Sequence, residues 1–333
     1  MSIDLYKKTP SKQEVINRLN HLRGLYSILI VIGHTSMNYE KELLPLLIIH
    51  KFNFVGVCFF FMISGCCLAI NSNDRHNYLS GYIKKKPIKL MLLALTCEIV
   101  SRIIKYLILG VLCIDINIIL GWNWYIYEAL FFYIVFYVTF KVAKKKWLKC
   151  VLISLAAIGI SSVQFYRVEI LHSSLFANHA WYFSAWSFAF GVTLGLYYDK
   201  IMSCVIRNIY AYSVFCVLVS IACCFLTLLP KDSYLGAVVL HNILGISLMM
   251  IIVIWANYFD YSKLPLSWLS KYSAEIYLYQ FVVIEIILAT YLLAGNTVDI
   301  KYSIAVVGGT CMLSCCMNRI DNKLVKLVIN CAK

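Results

Sequence analysis

Residues 50–70 read HKFNFVGVCFFFMISGCCLAI, and after Lys51 no charged side chain interrupts the run. About twenty predominantly apolar residues are what a helix needs to cross the hydrocarbon core of a bilayer. Within this stretch Ser64-Gly65 reads as a small-residue break, and Ser64, with no His or Asp nearby in sequence, is a poor nucleophile. Working outward, ten such stretches follow one another, near 22–38, 50–70, 87–112, 117–140, 150–166, 181–198, 210–229, 236–257, 273–293 and 302–318. Their connections are short and leave no room for a soluble domain. The expected fold is all-α: a polytopic membrane helix bundle of about ten transmembrane helices over 22–318. A cytoplasmic segment, 1–21, precedes it, and a cytoplasmic tail, 319–333, follows. No internal repeat of the kind found in inverted-repeat transporters stands out.

Composition agrees. Hydrophobic residues make up 62% of the 333 and charged residues 14%, with a mean hydropathy of +0.79. Soluble domains average about 45–50% apolar and about 25% charged. No soluble core hides so much apolar surface, so lipid must solvate much of it.

The net charge of +14 would suit nucleic acid, but the Lys and Arg fall in short clusters between apolar runs, as topology signals do. With the N-terminus inside, twenty-three of the thirty lie on the cytoplasmic side, among them Lys7, Lys8, Lys12, Arg18 and Arg23. The far side holds Lys41, Lys51, Arg167, Lys231 and Lys301, and the third span holds Arg102 and Lys105. This bias places both termini in the cytoplasm. Residues 1–21 are polar and do not read as a cleavable signal. The fourteen cysteines sit mostly inside apolar runs without metal-ligand spacing to His, and read as small apolar helix residues.

Ionisable side chains at membrane depth are costly and mark candidate sites. Arg23 and His34 are eleven residues apart on the first span. That spacing turns a helix through about three full turns and raises it about 16 Å, so the two share a face. An imidazole can serve as general base for a hydroxyl, and an arginine at the cytoplasmic mouth can grip phosphate. The structural readings stand beside these: a positive-inside anchor for Arg23, an interhelical hydrogen bond for His34. Glu98, Arg102 and Lys105 form one charged stripe at i, i+4, i+7, with Glu98 able to pair with Arg102. Glu128 and Glu285 are further intramembrane carboxylates. Lys84, Lys85, Lys86 and Lys89 either meet anionic lipid heads or grip a phosphate-bearing donor. Trp122, Trp124, Tyr125 and Tyr127, like Trp181, Tyr182 and Trp186, suit an interfacial aromatic belt or a sugar-stacking platform.

Taken in order, these residues resemble the acyltransferase-3 family of membrane acyltransferases. Arg23-Gly24-Leu25 through Gly33-His34 is similar to the family's opening signature, an Arg and a His on the first helix with ten residues between them. Phe60-Phe61-Met62-Ile63-Ser64-Gly65 resembles its second helix, and Lys84-Lys85-Lys86-Pro87-Ile88-Lys89 its basic run entering the third. Trp124-Tyr125-Ile126-Tyr127 with Phe132-Tyr133, and Trp181-Tyr182-Phe183-Ser184 with Phe190-Gly191, look like its middle helices. Ser270-Lys271-Tyr272-Ser273-Ala274-Glu275-Ile276-Tyr277-Leu278 is similar to its entry into the ninth span. Two departures stand out. The basic run is usually arginine-rich and is all lysine here, which keeps the charge but loses the bidentate fork. The position after Tyr279 often carries His in the family and is Gln280 here.

The resemblance implies an enzyme: an O-acyltransferase that moves an acetyl group from cytoplasmic acetyl-CoA, with no metal. The implied acceptor is a hydroxyl of a cell-surface or lipid-linked saccharide, and the implied setting a bacterial inner membrane. Arg23 and His34 become the expected catalytic residues, with Arg23, Lys85, Lys86 and Lys89 holding the CoA phosphates. His34 would deprotonate the acceptor hydroxyl or carry the acyl group itself. Glu128, Trp124, Tyr125 and Arg102 are expected on the substrate. The alternative is a glycan or lipid transporter, which the charged stripe, Glu128 and Glu285 would serve; a scaffold role would leave Arg23 and His34 unexplained.

Overall fold

The computed structural model describes residues 10–36, 44–75, 77–110, 124–172, 179–227, 234–265, 267–296 and 298–331. Lys7, Lys8, Lys41, Trp122, Lys231 and Lys333 lie outside the described residues, as does the opening of the fourth expected span. No strand occurs among the described residues. The helices are α1 (Lys12–His21), α2 (Arg23–Thr35), α3 (Leu44–Asp74), α4 (Pro87–Leu109), α5 (Trp124–Val142) and α6 (Lys146–Phe165). They continue with α7 (His179–Arg207), α8 (Ile209–Thr227), α9 (His241–Trp255), α10 (Ser273–Leu293) and α11 (Ile300–Cys331). Wider π turns flank two of them, Tyr166–Ile170 after α6 and Leu235–Leu240 before α9.

Eight helical runs are long and apolar enough to cross a membrane. The other two expected spans are α2, only 13 residues long, and α4, whose 23 residues include Lys89, Glu98, Arg102 and Lys105. Large apolar side chains cover the outside, among them Leu107, Val138, Leu155, Phe215, Ile304 and Met312. Such a surface is stable where lipid replaces water. The protein is therefore an integral, multi-pass membrane protein.

Helix α3 is the hub. One face, with Val57, Phe60 and Phe61, belongs to a core shared with α5 and α10. The other, with Cys58, Phe59 and Met62, belongs to a core shared with α1, α7 and α9. The expected break at Ser64-Gly65 is absent, and α3 runs unbroken through it. Gly65 instead lets α7 approach, and on α7 Gly191 does the same: a Cβ there would lie 2.8 Å from the Met62 carbonyl carbon. Close backbone approach through small residues is how helices gain packing energy in lipid.

Several elements exceed the lengths expected from sequence. Asp199 and Lys200 look like a loop, yet α7 continues past them, kinked at Tyr197, because Met202 and Val205 are buried in the second core. Helix α11 runs on to Cys331, and Asp321, within the expected tail, is fully buried. Helix α1 arises in the N-terminal polar segment. Ser11 caps it by accepting from the Glu14 amide at 3.2 Å, and Val15, Ile16 and Leu19 are its buried face. Arg18 donates to the carbonyls of Ala256 (3.1 Å) and Asn257 (3.2 Å), tying α1 to the C-terminus of α9.

Candidate active site

Helix α2 is unbroken from Arg23 to Thr35, so the eleven-residue spacing places Arg23 and His34 on one face about 16 Å apart. Gly24 lets the 3-10 turn Ser267–Tyr272 pack against α2: a Cβ on Gly24 would lie 2.7 Å from the Ser270 nitrogen. That turn leads into α10, which runs alongside α2. The Ser27 hydroxyl donates to the carbonyls of Arg23 (2.8 Å) and Ser273 (3.2 Å) at one end. At the other end His34 meets Gln280.

The Gln280 Oε1 lies 3.0 Å from His34 Nδ1. Its Nε2 donates to the Tyr277 carbonyl at 2.9 Å, which fixes the amide with its oxygen toward the imidazole. Nδ1 then carries the proton and donates to Gln280, and Nε2 is the basic nitrogen of the ring. Phe281 packs against the imidazole, ring centroids 5.0 Å apart. One residue on, the Thr35 and Ser303 hydroxyls share a 2.6 Å hydrogen bond that joins α2 to α11. Sequence reasoning marked Gln280 only as a departure from the family pattern. Its partnership with His34 is tertiary, across 246 positions, and nothing local signals it.

At the other end of α2 the Arg23 guanidinium lies over the Phe60 ring, 5.6 Å from its centroid. Its Nε is buried and, among the described residues, has no hydrogen-bond partner. Lys86, between the turn Tyr82–Lys85 and α4, is held below the ordinary lysine value. Burial is the main cause, and the neighbouring cations Lys89, Arg23 and Arg75 add to it. The structure thus groups Arg23, Lys86 and Lys89, and adds Arg75, which sequence reasoning counted only toward topology. Lys85 is exposed, as are the side chains of Lys86 and Lys89, so the lysines form a cationic surface beside the more buried Arg23. Glu275, at the start of α10, is the carboxylate near this group, within electrostatic reach of Lys89 and Arg23. It accepts a 2.5 Å hydrogen bond from Asn318. A buried guanidinium nitrogen with no partner, beside mutually repelling cations, suits a polyanion such as the phosphates of a nucleotide donor.

The four residues expected on the substrate divide. Tyr125 stands near the Arg23 end, its ring 6.2 Å from Phe60 and 4.9 Å from Tyr277. Glu128 is fully buried one turn further along α5. Trp124, 8% exposed, packs edge-on against Tyr125 at 6.2 Å. Arg102 is engaged with Glu98 at 2.9 Å, as their spacing suggests, while Lys105 pairs with Glu285 of α10. Within this stripe the Lys105–Glu285 ion pair joins α4 to α10, while Glu98–Arg102 stays within α4. Among the described residues, no three His, Cys, Asp or Glu side chains converge to hold a metal.

The chain is thus a lipid-embedded helical bundle with a hydrogen-bonded histidine at one end of α2 and a group of cations at the other. The family model of the acyltransferase domain Acyl_transf_3 matches residues 16–317, and the chain belongs to this acyltransferase-3 family. It is a membrane acyltransferase. No curated protein matches the chain, and no solved structure does.

Proposed function

We propose that the protein transfers an acetyl group from cytoplasmic acetyl-CoA to a saccharide hydroxyl on the far side of a bacterial inner membrane. The acceptor is a cell-surface or lipid-linked glycan, and both termini face the cytoplasm. The observation that carries this reading is the His34–Gln280 hydrogen bond, with His34 on the same face of α2 as Arg23, whose buried Nε has no partner among the described residues.

Arg23, Lys86 and Lys89 would hold the donor phosphates, with Arg75 contributing charge; the all-lysine run supplies charge without the bidentate fork, so Arg23 gives the directional contacts. The thioester of the donor supplies an activated acyl group. His34 takes the proton of the attacking hydroxyl on Nε2 as the new ester bond forms and the acyl C–S bond breaks. The departing CoA thiolate takes that proton back to leave as the free thiol. Gln280, accepting from Nδ1–H, stabilises the imidazolium in between.

The test is transfer of label from acetyl-CoA to host glycan in membranes that contain the intact chain or His34→Ala. Label in glycan with the intact chain alone is the expected result. Equal labelling with both would overturn the assignment of His34, and no labelling with either would overturn acetyl-CoA as donor to those glycans.

A further inference from the structure

Between the two ends of α2 the bundle holds polar atoms that none of the described residues satisfies. Glu128 is 0% exposed and, among the described residues, neither carboxylate oxygen has a hydrogen-bond partner. The Tyr277 side chain is 4% exposed, with its hydroxyl likewise without one. Arg23, through its Nε, is the third such residue. Unpaired polar groups are expensive in a lipid-embedded interior, a carboxylate above all, and a native protein that keeps them has a use for them.

The three follow one another along the bundle. The Arg23 guanidinium lies over Phe60, and the Phe60 ring touches Tyr125 at 6.2 Å. Tyr125 packs 4.9 Å from Tyr277, and Glu128 is within electrostatic reach of both tyrosines. Glu128 sits three residues from Tyr125 on α5, hence on the same side of that helix. Tyr277 sits three residues before Gln280, the partner of His34, so about 4.5 Å along α10 separates its level from that of the histidine. The unsatisfied atoms therefore mark a path from the cation group to the imidazole.

We propose that Glu128 and Tyr277 grip the pantetheine arm of the acyl donor on that path. The inference rests on the reading of acyl-CoA as donor. The arm carries two amides, each with one N–H to donate and one carbonyl to accept, joined by short apolar links. Glu128 supplies acceptors for the N–H groups, and the Tyr277 hydroxyl and Arg23 Nε–H supply donors for the carbonyls. The rings of Phe60 and Tyr125 flank the apolar links. A site of this kind recognises the arm itself rather than the nucleotide.

The test uses the full chain in lipid nanodiscs and compares binding of CoA with binding of 3′-phospho-ADP, which has the phosphates and no arm. In Glu128→Gln and Tyr277→Phe, 3′-phospho-ADP should bind within about twofold of the intact chain, while CoA binds about tenfold more weakly. Unchanged CoA binding in both variants would overturn the proposal and leave acyl-CoA as donor. Equal loss of both ligands would overturn it as well, by showing that these residues only support the fold. An intact chain that binds neither ligand would overturn the donor reading together with this one.

Discussion

Gln280 Oε1 accepts from His34 Nδ1 at 3.0 Å, across 246 positions of sequence. The amide cannot turn without surrendering its own bond to the Tyr277 carbonyl, 2.9 Å away. One nitrogen of the imidazole is thus committed to holding the ring.

Gln280→Leu removes the acceptor and leaves the ring free to take the wrong tautomer. Turnover should fall about ten- to a hundredfold, with donor KM within about threefold. Gln280→His, which can still accept from Nδ1–H, should recover most of the loss. Steady-state kinetics in membranes reads both. A Leu variant as active as the intact chain would show that the amide does not position His34.

Lys86 gives a pH signature. Its folded value is lowered, chiefly by burial and further by Lys89, Arg23 and Arg75. The ammonium is therefore lost at a lower pH than an ordinary lysine, which titrates near about 10.4. Donor phosphates favour the ammonium, so donor affinity should be highest below the lowered value and decline as pH rises through it. Lys86→Arg stays cationic and should flatten this decline. Donor KM measured from neutral pH to about 10 decides the point; parallel profiles for the two proteins would remove Lys86 from the donor site.

The α3–α7 contact should be intolerant of even one methyl group. A Cβ on Gly191 meets the Met62 backbone, which cannot rotate away as a side chain can. Gly191→Ala should lower stability by about 1–3 kcal/mol. The melting temperature in detergent or nanodiscs is the readout, and an unchanged value would contradict the close approach.

Tyr279 donates to both oxygens of the fully buried Asp321, at 3.2 and 3.3 Å. Tyr279→Phe strands that carboxyl group and should cost about 1–3 kcal/mol of stability. Tyr279→Phe together with Asp321→Leu should recover part of it. If the single variant melts like the intact chain, the bond does not anchor α10 to α11.

Much of this was legible in the sequence wherever one helix face carries the information. Long apolar runs and lysine clusters mark the helices, and the Arg23–His34 spacing needs only an unbroken α2 to bring both to one face. Ser11 and Glu14 also form a recognisable helix start, one that the polar composition of residues 1–21 obscures. Ends were less legible. Asp199 and Lys200 suggest a loop, but α7 carries on because residues beyond them are buried against another helix. What joins the helices was not legible at all. Gln280 facing His34, Arg75 joining the lysines and the isolation of Glu128 each depend on which helices become neighbours.

In the proposed function, α2 binds the donor at its Arg23 end and performs proton transfer at its His34 end. The most direct test is a single measurement pair on purified His34→Gln in nanodiscs: CoA binding, and single-turnover acyl transfer to a glycan acceptor. CoA affinity should stay within about twofold of the intact chain, and transfer should fall by at least about a hundredfold. Transfer at the intact rate would contradict it, and so would loss of CoA binding in step with transfer.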